Sequence, residues 1–105
     1  MPTVDVAALH DFPDGTAKVV QVDGHKIAVF HLAGTFYALD DTCSHADASL
    51  SQGELDRDEQ CIECPMHGSL FDLKTGTPRT LPAFEPVATY PVTVVADRVI
   101  VEYSS

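Results

Sequence analysis

Two short pairs of metal-binding side chains constrain this chain more than any other feature: Cys43-Ser44-His45 and Cys64-Pro65-Met66-His67. Within each pair the thiol and the imidazole are close enough to reach one centre, and 18 residues separate His45 from Cys64. A fold that uses all four must bring two loops side by side. The third cysteine, Cys61, stands three residues before Cys64, so CIEC also reads as a CxxC redox pair. That motif belongs at the start of a helix in a βαβ setting.

No such setting is visible. Short runs rich in Val, Ile, Tyr and Phe alternate with turn residues, which is strand patterning. AKVVQV (17–22) meets Asp23-Gly24, a hairpin signal, and HKIAVFHL (25–32) follows. Ala33-Gly34 then turns into TFYALD (35–40), and YPVTVVA (90–96) and RVIVEY (98–103) flank Asp97 as a second hairpin. DFPDG (11–15) is a turn cluster. The spacing predicts a small all-β antiparallel sandwich or barrel.

From about 41 to 86 the pattern changes to something inserted in that scaffold. TCSHADAS and CPMHGS bracket GELD and QCIE, then come SLFDL, a Thr75-Gly76 turn and LPAFEP. All three cysteines lie here. Leu50 and Leu70, just past the two loops, are expected to plug the core beneath them. Phe30, Phe36, Tyr37, Phe71 and Phe84 are core candidates, and Gly53, Gly68 and Gly76 mark turns or close backbone approach.

The chain's 105 residues amount to one domain, 1–105. Three cysteines are too few, and odd in number, for a secreted disulfide scaffold. No signal peptide or membrane-length apolar run is visible, so a cytoplasmic setting is expected. The net charge of −10 argues against nucleic acid and anionic membranes. Residues 40–63 hold eight acids (Asp40, Asp41, Asp47, Glu54, Asp56, Asp58, Glu59, Glu63) against Arg57 alone. This run reads either as a solvated surface or as a docking face for a basic partner.

Two thiolates and two imidazoles suit a soft or borderline metal. One reading is a closed tetrahedral zinc site. The other is a [2Fe–2S] centre with two Cys on one iron and two His on the other. Cys-x-His is tighter than the spacing usual among paired zinc ligands.

Cys43-x-His45 followed by Cys64-x-x-His67-Gly68, with Pro65, Ser69, Phe71-Asp72 and Thr75-Gly76 around it, resembles the Rieske iron–sulfur signature. The resemblance runs over essentially the whole chain, and LPAFEP resembles the proline loop that covers the cluster's third side. It implies Cys43, His45, Cys64 and His67 as ligands of one [2Fe–2S] cluster, with Ser69 donating to a sulfide. The histidine-ligated iron is then the expected electron port. Met66 stands where one branch of the family carries a disulfide cysteine, and Phe71 where that branch carries a tyrosine hydroxyl near sulfur. Both departures imply the low end of the roughly −150 to +300 mV Rieske span. Cys61 is then a packing residue.

The chain resembles most the ferredoxin component of multicomponent aromatic-ring dioxygenases. That implies a monomeric one-electron shuttle, not an enzyme in itself, with transient partners: a flavin-dependent NAD(P)H reductase and a terminal oxygenase. The small subunit of an assimilatory nitrite reductase is the rival within the family. A zinc-stabilised interaction domain and a thiol oxidoreductase are the rivals outside it.

Overall fold

The computed structural model describes residues 3–22, 24–42, 48–66, 68–80 and 85–103. Among these residues ten strands form: β1 (Thr3–Ala8), β2 (Ala17–Val22), β3 (His25–Leu32), β4 (Thr35–Asp40), β5 (Leu55–Asp56), β6 (Cys61–Glu63), β7 (Leu70–Asp72), β8 (Thr89–Tyr90), β9 (Val92–Val95) and β10 (Arg98–Glu102). They make three antiparallel sheets, ordered β1-β10-β9, β2-β3-β4-β8 and β5-β6-β7. Among the described residues the only helical elements are two 3-10 turns, Leu9–Asp11 and Leu50–Gln52.

The expected hairpins form where the turn residues place them. β2 and β3 pair from Val22↔His25 to Ala17↔Phe30, and β3 and β4 from Leu32↔Thr35 to Ile27↔Asp40. Ala96 and Asp97 both take positive φ between β9 and β10, at 52° and 62°, as a tight two-residue hairpin requires. β1 was not foreseen. Its sequence, TVDVAA, carries three β-branched residues, but so short a run does not hold as a strand alone. It is held instead by pairing with β10 and by the fork of Arg98 on the Asp5 carboxylate, with Nη2 at 2.7 Å.

β3 explains the layering. Ile27, Val29, Ala28, Phe30 and Leu32 are all buried, although successive side chains point to opposite faces. Ile27 and Val29 pack with Phe12, Ala38, Val99, Val101 and Tyr103 in an outer core under β10. Ala28, Phe30 and Leu32 pack with Leu39, Leu50, Ile62, Cys64, Phe71, Leu73 and Val87 in an inner core under β5-β6-β7. The central sheet is thus apolar on both sides, which is why IAVF reads as an unbroken hydrophobic run. Leu50 is a core residue as expected. Leu70 is only half buried, and the plug after the second loop is Phe71. Phe36 and Tyr37 are half buried, and Phe84 lies outside the described residues.

Candidate metal centre

The loop that carries Cys43 and His45 springs from the end of β4. Asp41 N–H donates to Lys26 carbonyl at 2.9 Å, extending the ladder by one step. Leu50 N–H donates to Asp41 carbonyl at 2.6 Å, and Ser51 N–H to Asp41 Oδ1 at 2.9 Å. Thr42 and Ser49 bridge in antiparallel fashion between these contacts. The loop's two ends are therefore tied together, and Leu50 anchors the outgoing end in the inner core.

The chain then runs directly onto the strand that leads to the second loop. Glu63 N–H donates to Glu54 carbonyl at 2.9 Å. Gly53 lies so close that a Cβ there would overlap the Glu63 carbonyl. The backbone ending the first loop is thus pressed against the residue preceding Cys64.

The second loop is a tight turn. Cys64 N–H donates to Ser69 carbonyl at 2.8 Å, and Gly68 N–H to Cys64 carbonyl at 3.0 Å. Cys64 and Ser69 are each 1 % exposed, whereas Met66, at the tip, is 55 % exposed. Cys64 packs in the same core as Leu50 and Phe71.

A third segment is fastened beside the second. Arg79 N–H donates to Leu70 carbonyl at 2.7 Å, and Leu70 N–H to Thr80 Oγ1 at 2.9 Å. Pro78 bridges Phe71. On the return, Val87 N–H donates to Gly76 carbonyl at 2.9 Å, and a Cβ on Gly76 would overlap the Val87 carbonyl. The LPAFEP stretch thus has its lead-in bound at Leu70, just past the Cys64 turn, and its exit bound at Gly76. Arg79 reinforces the lead-in, with Nη2 at 2.6 Å from Asp72 Oδ2 and Nη1 at 3.2 Å from Glu59 Oε2. Burial opposes ionisation of Asp72. The Arg79 hydrogen bond and the N–H groups of Thr75 and Lys74 outweigh it, so its carboxyl sits below the usual range.

Cys61 is fully buried, and its Sγ donates to Glu59 carbonyl at 3.4 Å. Burial pushes its thiol up in pKa. A buried thiol with little thiolate is a poor nucleophile, and among the described residues no helix follows it.

The acidic run divides. Asp41 is buried. Asp56 Oδ1 accepts from the N–H groups of Asp58 and Glu59, each at 3.1 Å, and Glu59 is paired with Arg79. Glu54, Asp56 and Glu63 line a shallow groove with Leu55, Arg57 and Leu70. Arg57 is turned to Asp14, Nη1 to Oδ2 2.8 Å.

Of the expected site residues, Cys43, His45 and His67 lie outside the described residues, as do Leu81 to Phe84 of the covering loop. Cys64 and Ser69 are described and fit a thiolate-held cluster: a buried sulfur, with a buried hydroxyl residue closing the same turn. Sequence reasoning missed Asp41 as a structural acid and Arg79 as a clasp. Both acids and bases there read only as charge.

Known proteins agree with this geometry. The family model for the Rieske [2Fe-2S] domain matches residues 3–91. The 3-phenylpropionate/cinnamic acid dioxygenase ferredoxin subunit of Photorhabdus laumondii is 45 % identical over 94 residues, covering 90 % of this chain and 88 % of the relative. The ferredoxin of carbazole 1,9a-dioxygenase from Nocardioides aromaticivorans IC177 superposes with a TM-score of 0.91 at 36 % identity, covering 96 % of this chain and 97 % of that one. A ferredoxin chain solved in complex with the oxygenase of carbazole 1,9a-dioxygenase gives 0.88 at 40 % identity, covering 94 % and 91 %. A chain assigned as a nitrite reductase small subunit from Mycobacterium tuberculosis gives 0.86 at 23 % identity, covering 99 % and 96 %, a likeness of fold alone. The chain belongs to the Rieske [2Fe-2S] domain family, on the branch of the dioxygenase ferredoxins.

Proposed function

We propose that this protein is a single-electron carrier that delivers electrons to the terminal oxygenase of an aromatic-ring dioxygenase, receiving them from a flavin-dependent NAD(P)H reductase. Cys43 and Cys64 would hold one iron of a [2Fe–2S] cluster and His45 and His67 the other. When bound, that cluster takes up and returns one electron without a bond being made or broken in a substrate.

The observation that carries this reading is the press of Gly53 against Glu63. It joins the end of the Cys43–His45 loop to the residue before Cys64, as one four-ligand centre requires. The rest of the chain supports the carrier role. Cys64 sits away from water, which protects a thiolate–metal bond. Ser69 would aim its hydroxyl at a sulfide and raise the potential modestly, while the absence of a tyrosine at 71 keeps it low.

The surface suits brief encounters. All three arginines are paired, with Asp14, Asp72, Glu59 and Asp5, so the charges of Glu54, Asp58 and Glu63 are offset nearby only by an Arg57 already engaged with Asp14. Complementary charge speeds association more than it strengthens it. We place the protein in the cytoplasm as a monomer. Among the described residues no helix is long and apolar enough to cross a membrane.

The deciding measurement is iron, zinc and acid-labile sulfide per chain on anaerobically purified protein, followed by reduction with reductase and NADH. About two irons and two sulfides, with reoxidation on adding oxygenase, support the reading. Zinc without sulfide sinks it.

A further inference from the structure

Asp41 is the buried charged side chain among the described residues, at 1 % exposure. A carboxylate does not stay in an interior without a hydrogen-bond partner. Its Oδ1 accepts from Ser51 N–H at 2.9 Å, its carbonyl from Leu50 N–H at 2.6 Å, and its own N–H donates to Lys26 carbonyl at 2.9 Å. One residue thereby fastens the central sheet to both ends of the loop that leaves it. The contacts continue in one direction: Ser51 leads to Gly53, which bears on Glu63, which precedes Cys64.

We propose that Asp41 is a positioning residue for the cluster, setting the separation of the two ligand loops through its bond to Ser51. The proposal rests on the reading of Cys43 and His45 as ligands. An acid two residues ahead of the first ligand would ordinarily be placed outside, where its negative charge is solvated. Here the side chain is spent inward on a backbone amide at the far side of the loop. The bond closes the loop against the 3-10 turn Leu50–Gln52, whose first residue is wholly buried. Without it, Thr42↔Ser49 and the Leu50 amide bond remain, but the turn that bears Gly53 is left with one backbone tie to Asp41 where it had two.

The test compares holoprotein carrying Asp41→Ala or Asp41→Asn with the parent. The readouts are the rate of iron loss to a chelator and the g-values of the reduced cluster, at a temperature where circular dichroism shows all three folded. D41A is expected to lose iron roughly 10–100-fold faster, the range seen when a group supporting metal ligands is removed, with shifted g-values. D41N keeps an acceptor oxygen of roughly half the strength and is expected to stay within a few-fold of the parent. A folded D41A with parental iron loss and g-values overturns the proposal. So does D41N as labile as D41A, because charge and not the hydrogen bond would then be the cause.

Should D41A fail to fold, amide hydrogen exchange decides on D41N. Faster exchange at Ser51, with protection kept at Asp41 and Glu63, supports the tether, and unchanged exchange at Ser51 overturns it. This readout is taken on the protein as purified and reports on the Ser51 amide whatever metal the chain holds. It therefore stands apart from the proposed function, whose own failure would show as absent iron and sulfide in the parent.

Discussion

The Glu63 carbonyl oxygen occupies the space where any residue but glycine at 53 would put its Cβ. The backbone of Gly53 is extended, with φ −80° and ψ −177°, so alanine would meet no conformational strain there. Its penalty is steric alone. Gly53→Ala is expected to destabilise by about 1–3 kcal/mol, the usual result of overpacking, and to drive the two ligand loops apart. Thermal melting with iron analysis checks both. A melt lowered by roughly 4–8 °C per kcal/mol with full iron content would show that the approach serves stability only.

Cys61→Ala should leave the cluster untouched. Cys61 is buried with a weak bond to the Glu59 carbonyl, and its removal opens a small void costing about 1 kcal/mol. Iron content, reduced spectrum and electron-transfer rate are expected to match the parent. A lost activity would revive the thiol-redox reading of CIEC.

Asp72 gives the clasp on the covering segment a pH dependence. Its folded pKa is depressed by Arg79 and two backbone amides against the pull of burial. Its contribution is therefore present above the unfolded value of about 3.9 and is lost as pH falls through the lower folded value. The Arg79 side chain is 38 % exposed, so solvent screening keeps the contribution to several tenths of a kcal/mol, at most about 1. Melting curves for Asp72→Asn and parent should differ at pH 6 and converge toward pH 3. Parallel curves across that range would remove Asp72 from the clasp.

Phe71 is buried in the core that also holds Cys64. Phe71→Tyr introduces a hydroxyl beside the proposed ligand sulfur. A hydrogen bond to a charged acceptor is worth about 1.5–3 kcal/mol, and 59 mV corresponds to about 1.4 kcal/mol for one electron. The midpoint potential is expected to rise by tens of millivolts up to about 100 mV. Voltammetry on a folded variant with an unmoved potential would mean the hydroxyl points elsewhere.

Charge reversal tests the docking surface, provided that structural acids are spared. Asp56 caps its own turn and Glu59 serves Arg79, so changing either would confuse folding with docking. Glu54→Lys with Asp58→Lys avoids both. Reduction of the oxygenase should slow by about tenfold or more at low salt and approach the parental rate at high salt, the behaviour of electrostatic steering. Equal rates at every salt concentration would assign the acids to solubility.

Much of the scaffold was legible because its turns announce themselves. Asp23-Gly24, Ala33-Gly34 and Asp97 mark the hairpins, and alternating strands between them leave few other folds. β1 was not legible, since its order comes from β10 and from Arg98, 93 residues away along the chain. Leu70 was mistaken for the plug because the motif places it next to the loop. The pleat decides otherwise: Phe71 shares the inner face with Ile62, its partner across β6 and β7, while Leu70 faces the groove with Glu63. At the site, ligand types and spacing were readable, but the joints between the loops were not. A glycine gives no sign of which carbonyl it touches, and a buried aspartate looks like its solvated neighbours.

The doubly buried central sheet has a consequence for how such a protein can change. Its two cores share a wall but no side chains, so they form two nearly independent registers of variation. Substitutions around Val99 and Val101 can drift with the thermal demands of a host while the redox centre keeps its properties. Substitutions around Leu50 and Phe71 retune the centre at the expense of both. A lineage can therefore adjust its durability on the β10 side of β3 without disturbing the centre, whereas no change around the centre leaves durability alone.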